Sequence, residues 1–113
     1  MFGINGTMRL YYVSGIQDMR CGYYRLCEIV KSKLHRDPYN GDVYMFMSKD
    51  RRKVKLIRYE NSAYYLYEKS FTNGLRFMRI EADNTTGTLS YKLDWKSFVA
   101  ILECPVRGNI RLS

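Results

Sequence analysis

A run of closely spaced cations in the middle of the chain is the group of side chains best suited to do chemistry. Its Lys and Arg residues lie one to three positions apart: Lys49, Arg51, Arg52, Lys53, Lys55 and Arg58. Such cations bind the phosphates of a nucleic acid. Tyrosines that can stack on unpaired bases lie near them: Tyr39, Tyr44, Tyr59 and Tyr64. The alternative is a solvated hairpin whose lysines protect an edge strand from unwanted pairing.

The charge of the chain is basic and unevenly distributed. The 113 residues carry 19 Lys and Arg against 11 Asp and Glu, a net charge of +8. Residues 1–58 hold 12 of these basic and 5 of these acidic residues, a net of +7, which leaves +1 for residues 59–113. Since a strongly basic protein tends to meet polyanions, this distribution favours phosphate binding by the first half of the chain.

Catalytic chemistry finds little support in the sequence. The single histidine, His35, lies beside Arg36 with no nucleophile near it. The carboxylates that a two-metal site needs fall at predicted element ends or turns: Asp18, Asp37, Asp42 and Asp50. No Walker-type glycine loop occurs. We therefore predict no catalytic residues, no cofactor and no small-molecule substrate.

The cysteines predict neither a disulfide framework nor a metal site. Cys21, Cys27 and Cys104 are an odd number without C-x-x-C spacing. On a helix, Cys21 and Cys27 would point about 120° apart and would not face one metal ion. Buried free thiols are the expected state.

An amphipathic helix is predicted in the first third of the chain, after a short strand at Met8–Val13. Apolar residues recur there with helical spacing: Met19, Tyr23, Leu26, Cys27, Val30 and Leu34. Ser14 or Asp18 is expected to cap the first turn of this helix. Asp37-Pro38 is expected to end it, because the residue before a proline disfavours helical geometry.

The remaining chain is predicted to form short strands and a second helix. The β-rich runs are Val43–Met47, Val54–Tyr59, Tyr64–Lys69, Leu75–Ile80 and Thr88–Tyr91. Asp94 is expected to cap a short helix whose apolar face is Phe98, Ile101 and Leu102. The predicted fold is α+β, a single domain over residues 1–113. Its antiparallel meander of about five or six strands carries both helices on one face.

Membrane association is not expected. The mean hydropathy is -0.40, and no apolar run approaches the roughly 18 residues that span a bilayer. The segment Met1–Gly6 has neither the basic part nor the continuous apolar part of a secretory signal. We therefore expect a cytoplasmic protein.

Two short motifs at a defined separation resemble a known family. They are Asp18-Met19-Arg20-Cys21-Gly22-Tyr23 and Asp37-Pro38-Tyr39-Asn40-Gly41. Together with Arg51-Arg52 before an apolar strand and a closing helix at Phe98–Glu103, they resemble the Orf2-like accessory proteins, TnpB, of the insertion sequence 66 family over nearly the whole chain. Cys21 and Ser70 depart from the family pattern, which has lysine and arginine there.

The resemblance implies a small accessory protein of a bacterial transposable element, encoded beside a separate transposase that is its partner. It implies no catalytic residue set. The matching motif positions are Asp18, Met19, Arg20, Gly22, Asp37, Pro38 and Gly41. Arg20 lacks a local structural reason, because a cation in the first turn of a helix opposes the helix dipole. We expect it to form an ion pair or to contact a phosphate.

Two functions are compatible with these features. In the first, the protein is a non-catalytic accessory of DNA transposition and recombination. It then binds nucleic acid through Arg20 and the cations of the hairpin to assist the transposase. In the second, it is an adaptor that docks on the transposase through outward tyrosines and an exposed sheet edge, without touching DNA.

Overall fold

The computed structural model of the chain describes residues 3–16, 18–81, 87 and 89–107. Its helices and strands are β1 (Leu10–Val13), α1 (Tyr23–Ser32), β2 (Val43–Met47), β3 (Lys53–Glu60), β4 (Ala63–Ser70), β5 (Leu75–Arg76), β6 (Ser90–Leu93), α2 (Trp95–Glu103) and β7 (Val106–Arg107). The prediction for β2 is confirmed to the residue. The strand predicted from Leu75 extends only to Arg76, and the strand predicted from Thr88 has its first residue outside the described residues.

The main sheet has five strands in the order β4-β3-β2-β1-β6 and is mixed rather than antiparallel. β1 and β2 pair in parallel, with Leu10 opposite Val43, while the other neighbours are antiparallel. The predicted meander is therefore wrong at this pair. The connection between β1 and β2 contains α1, and a crossover of that length returns the chain in the same direction. β5 and β7 form a separate two-stranded ribbon.

The two helices cover opposite faces of the sheet. One face of β2 packs through Phe46 against Leu26 of α1, and its other face packs through Met45 against Phe98 of α2. The prediction that both helices lie on one face is wrong. Every residue of β2 is buried, and its side chains are apolar except for the Tyr44 hydroxyl, which is the pattern of a strand covered on both sides.

The first turn of α1 has no side-chain cap. Its N-cap is Gly22, in an extended conformation. Asp18 instead accepts hydrogen bonds from Arg20, and the Ser14 hydroxyl donates to the carbonyl of Leu89. Both expected caps, Ser14 and Asp18, are therefore wrong.

A left-handed residue, and not Pro38, ends α1. The helix stops at Ser32, and His35 adopts a φ of 54°. The main-chain N–H of Arg36 then donates to the carbonyl of Val30 at 3.1 Å, which closes the last turn. Pro38 lies beyond this closure.

α2 forms as predicted. Asp94 is its N-cap and accepts a hydrogen bond of 2.7 Å from the main-chain N–H of Ser97. This bond lowers the pKa of Asp94 because it stabilises the carboxylate. The apolar face buries Phe98, Ile101 and Leu102 in the core.

Tyr44 carries a polar group into the core without a described partner, and this generates a stability prediction. Its hydroxyl is buried, and no described residue forms a hydrogen bond with it. Burial raises the pKa of Tyr44 to about 12. Tyr44→Phe removes the desolvated hydroxyl and keeps the ring that stacks on Tyr11, so we expect the free energy of unfolding to stay the same or rise by about 1 kcal/mol.

Urea denaturation measures this change. Phe46→Ala in the same strand is the positive control, since deleting a buried phenyl ring costs about 3–5 kcal/mol. A loss of more than about 1 kcal/mol in Tyr44→Phe would contradict the prediction and reveal a hydrogen-bond partner of the hydroxyl.

Candidate nucleic-acid interface

The turn between β2 and β3 is held together by its own polar groups. The Asp50 carboxylate accepts hydrogen bonds from the Ser48 hydroxyl at 2.7 Å and from the main-chain N–H of Arg52 at 3.0 Å. These bonds lower the pKa of Asp50. Arg51 adopts a left-handed φ of 60°, and its N–H donates to the carbonyl of Ser48 at 3.0 Å. The turn leaves Lys49 and Arg52 exposed.

A later segment of the chain fastens this turn to the body of the protein. The main-chain N–H of Phe77 donates to the carbonyl of Arg51 at 2.7 Å, and Arg51 Nη1 donates to the carbonyl of Phe77 at 3.3 Å. Phe71 donates in the same way to the carbonyl of Arg52 at 2.8 Å. Because Phe77 is fully buried in the α2-side core, the position of the turn is fixed by that core.

Two arginines from distant parts of the sequence join the hairpin. The charge of Arg76 helps to lower the pKa of Asp50, and Arg76 directly precedes Phe77, whose main-chain N–H donates to the carbonyl of Arg51. Arg107 of β7 is opposite Leu75 of β5, two residues before the Phe77 that holds the turn. We name this set the basic end: Lys49, Arg51, Arg52, Arg76 and Arg107. The candidate residues did not include the last two, because only the tertiary fold brings them here.

Besides Arg51, three further cations of the hairpin are engaged within the chain. Lys53 Nζ lies 3.4 Å from the carboxylate of Glu68. Lys55 is 6% exposed, and its Nζ donates to the carbonyl of Cys21 at 2.6 Å. Arg58, 5% exposed, forms an ion pair with Glu60 and stacks over the ring of Tyr65. The structure therefore does not place Lys55 and Arg58 beside Lys49 and Arg52 on an open surface.

Arg20 forms one of its two expected contacts, an ion pair. Its Nε and Nη2 donate to the two carboxylate oxygens of Asp18 at 3.0 and 3.1 Å. This bidentate contact holds the pKa of Asp18 at about 2. Arg20 precedes Cys21, whose carbonyl accepts a hydrogen bond from Lys55, the third residue of β3 after the turn. The guanidinium remains exposed.

The tyrosines proposed to stack on bases differ in exposure. Tyr44 is fully buried and cannot meet a base. Tyr39 is exposed, packs edge-on against Tyr59 at 5.2 Å and carries Lys31 over its ring at 4.7 Å. Tyr64 is also exposed. Tyr39 therefore keeps an exposed ring with a cation from α1 near it, whereas one face of the Tyr64 ring already stacks on Tyr23 at 4.0 Å.

No metal centre is present among the described residues, where no three His, Cys, Asp or Glu side chains are grouped to hold an ion. All three cysteines are free. Cys27 is buried as expected and Cys21 is half-buried, but Cys104 is exposed, so the prediction is wrong for Cys104. Neither helix in the described part of the chain is long and apolar enough to cross a membrane.

The structure thus defines a small α+β protein that carries a tethered, cation-rich hairpin. Residues 8–106 match the family described as IS66 Orf2 like protein, and the chain belongs to that family. This confirms the resemblance identified from the motifs. The family is associated with transposition as an accessory and is not a known catalytic family. Comparisons with curated proteins and with solved structures give no match.

The environment of Lys55 generates a prediction that separates stability from binding. Lys55→Met keeps the length of the side chain but leaves the Cys21 carbonyl without its 2.6 Å donor. We expect the free energy of unfolding to fall by about 1–3 kcal/mol, as measured by urea denaturation. Lys49→Met makes the same chemical change at an exposed position. It should alter the free energy of unfolding by less than about 0.5 kcal/mol. Equal effects of the two changes would contradict a structural role for Lys55.

Proposed function

We propose that this protein is a non-catalytic accessory of bacterial DNA transposition that binds nucleic acid through its basic end and thereby assists a separate transposase. The observation that carries the proposal is the convergence of cations from three separate stretches of chain at one hairpin. Lys49, Arg51 and Arg52 come from the turn, while Arg76 and Arg107 come from the ribbon beside it. Several cations on neighbouring parts of the chain can contact successive phosphates.

The surroundings of the hairpin support this use. The Asp50 carboxylate is occupied by hydrogen bonds of the turn itself and lies among cations, so it opposes a phosphate less than a free carboxylate would. Lys49 and Arg52 are exposed and have side chains long enough to reach a partner. Membership in a family associated with transposition makes DNA the relevant polyanion.

The test is a fluorescence-anisotropy titration of the purified protein with single-stranded and double-stranded DNA, including an end of the element, between about 50 and 200 mM salt. The expected result is an affinity that falls as salt rises. In the double variant Lys49→Ala/Arg52→Ala, two phosphate contacts are lost. The slope of log affinity against log salt should then become shallower by about two.

The matched control removes the same amount of charge elsewhere. Lys92 lies on β6 and Lys96 on α2, and both are exposed. Lys92→Ala/Lys96→Ala should leave the salt slope close to that of the unchanged protein. Binding that is absent, that is insensitive to salt, or that weakens equally in both double variants would refute the basic end as the interface.

A second candidate function is an adaptor that docks on the transposase without contacting DNA. The observation that favours it is Tyr24, whose ring is 75% exposed on α1 and contacts Tyr64. An exposed tyrosine is a common anchor of a protein interface. Under this function, the complex with the transposase should survive nuclease treatment and should weaken in Tyr24→Ala.

Co-purification of the two proteins with and without nuclease distinguishes the functions. Lys49→Ala/Arg52→Ala is the control, because an adaptor that docks through Tyr24 does not need the basic end. Loss of the complex after nuclease treatment would show that DNA joins the two proteins, and it would contradict the adaptor function.

A further inference from the structure

The outermost strand of the main sheet, β4, leaves one edge unpaired within the described part of the chain. It pairs with β3 along its whole length, from Lys53 opposite Ser70 to Glu60 opposite Ala63. Each strand of an antiparallel pair directs about half of its main-chain N–H and C=O groups away from its neighbour. The outward main-chain groups of this eight-residue strand therefore have no strand partner among the described residues.

The side chains of β4 do not protect this edge. Tyr64, Tyr65 and Leu66 are 48%, 44% and 43% exposed, and they are consecutive. The strand contains no proline, and its register with β3 is continuous, so no bulge twists it away. Prolines and bulges are among the features by which edge strands normally avoid pairing with another chain.

The two charged residues of β4 are turned back onto their own chain. The Glu68 carboxylate lies 3.4 Å from Lys53 Nζ. Lys69 Nζ donates to the carbonyl of Leu102 at 2.8 Å and lies 3.3 Å from the carboxylate of Glu103. With these charges engaged, neither repels an approaching strand. The edge also offers no free cation for a phosphate.

We propose that β4 pairs with β4 of a second copy of this chain, as antiparallel strands around a two-fold axis, to form a continuous ten-strand sheet. A two-fold axis perpendicular to the sheet keeps each face on its own side. Residues that stand opposite one another must therefore come from the same face of β4. This inference goes beyond the proposed function and does not depend on it.

The charges exclude a register centred on Glu68, and apolar pairing favours one centred on Leu66. An axis centred on Leu66 places Leu66 opposite Leu66 of the second copy, and Tyr65 opposite Tyr67 of the second copy. Glu68 then stands opposite Tyr64 of the other copy, and no like charges meet. An axis centred on Glu68 would place two carboxylates side by side, which is unfavourable. Apolar and aromatic pairs at the centre are the favourable arrangement.

A cavity beside β4 adds to the case for a partner at this edge. It has a volume of about 250 Å³ and is lined in part by Ile4, Leu56 and Tyr65. This cavity opens to solvent, so the surface next to β4 is concave and partly apolar. The side chains of a second copy at the edge would reduce the exposure of this apolar lining.

Sedimentation equilibrium of the purified, nucleic-acid-free protein tests the pairing. The expected result is a concentration-dependent mass that rises from 13.4 kDa toward twice that value. Each copy carries +8, so raising the salt from about 0.15 to 0.5 M should screen their repulsion and strengthen the dimer. The affinity for DNA should instead fall as the salt concentration rises. The dimer proposal and the DNA-binding proposal can therefore fail independently of each other.

Charge substitutions at Leu66 test the register. Leu66→Lys and Leu66→Glu should each be monomeric alone, since like charges then meet at the axis. An equimolar mixture of the two variants should recover the mass of the dimer. Val106→Lys is the matched control, an exposed aliphatic residue changed to the same cation on β7, and it should dimerise like the unchanged protein.

Several results would overturn the proposal. They are a protein that stays monomeric at every concentration and salt, a Leu66→Lys variant that still dimerises, and a mixture of charge variants that does not recover the dimer. Monomeric protein that forms a complex with the transposase, lost in Leu66→Lys, would assign the edge to that partner instead.

If the Leu66 variants fail to fold, hydrogen exchange of the unchanged protein tests the pairing of β4 instead. The outward amides of β4 must gain protection as the protein concentration rises. Unchanged protection at all concentrations overturns the pairing.

Discussion

The burial of β2 on both faces is the constraint on which the rest of the structure depends. Its five residues, Val43–Met47, are apolar and inaccessible to water, so each face must be covered by a different part of the chain. α1 supplies one cover and α2, with Phe77, supplies the other. The same requirement makes β1 run parallel to β2, because α1 must cross between them. It also fixes the basic end, since Phe77 belongs to the α2-side core and holds the main chain of Arg51.

The sequence pattern predicted where the helices and strands lie along the chain better than it predicted how they pair and pack. β-rich runs bounded by turn residues located β2, β3 and β4, and the apolar spacing after Asp94 located α2, because these signals are local. The parallel pairing of β1 and the placement of helices on opposite faces are not local. They follow from which residue meets which across the sheet. The run Val43–Met47 did contain a clue, since a strand that is apolar at every position has no solvent side.

The candidate site could be predicted only as a region. Neighbouring cations in the sequence separate in space, because strand geometry sends Lys55 and Arg58 into the interior while the turn leaves Lys49 and Arg52 outside. The carbonyl of Cys21 that receives Lys55 is 34 positions away in the chain, and no short pattern predicts that contact. Arg76 and Arg107 join the hairpin through long-range pairing for the same reason.

The hydrogen bonds between Phe77 and Arg51 have a thermodynamic consequence for the hairpin. A loop that is mobile before it meets a partner loses conformational entropy when the partner orders it, at roughly 1–2 kcal/mol per residue of backbone. Here the backbone of the turn is already ordered by the hydrophobic core, so only the side chains of Lys49 and Arg52 have freedom left to lose. Under the proposed binding at this end, the enthalpy of association would therefore be opposed by a small entropic term, and the heat capacity of association would reflect changes at the surface and not local folding.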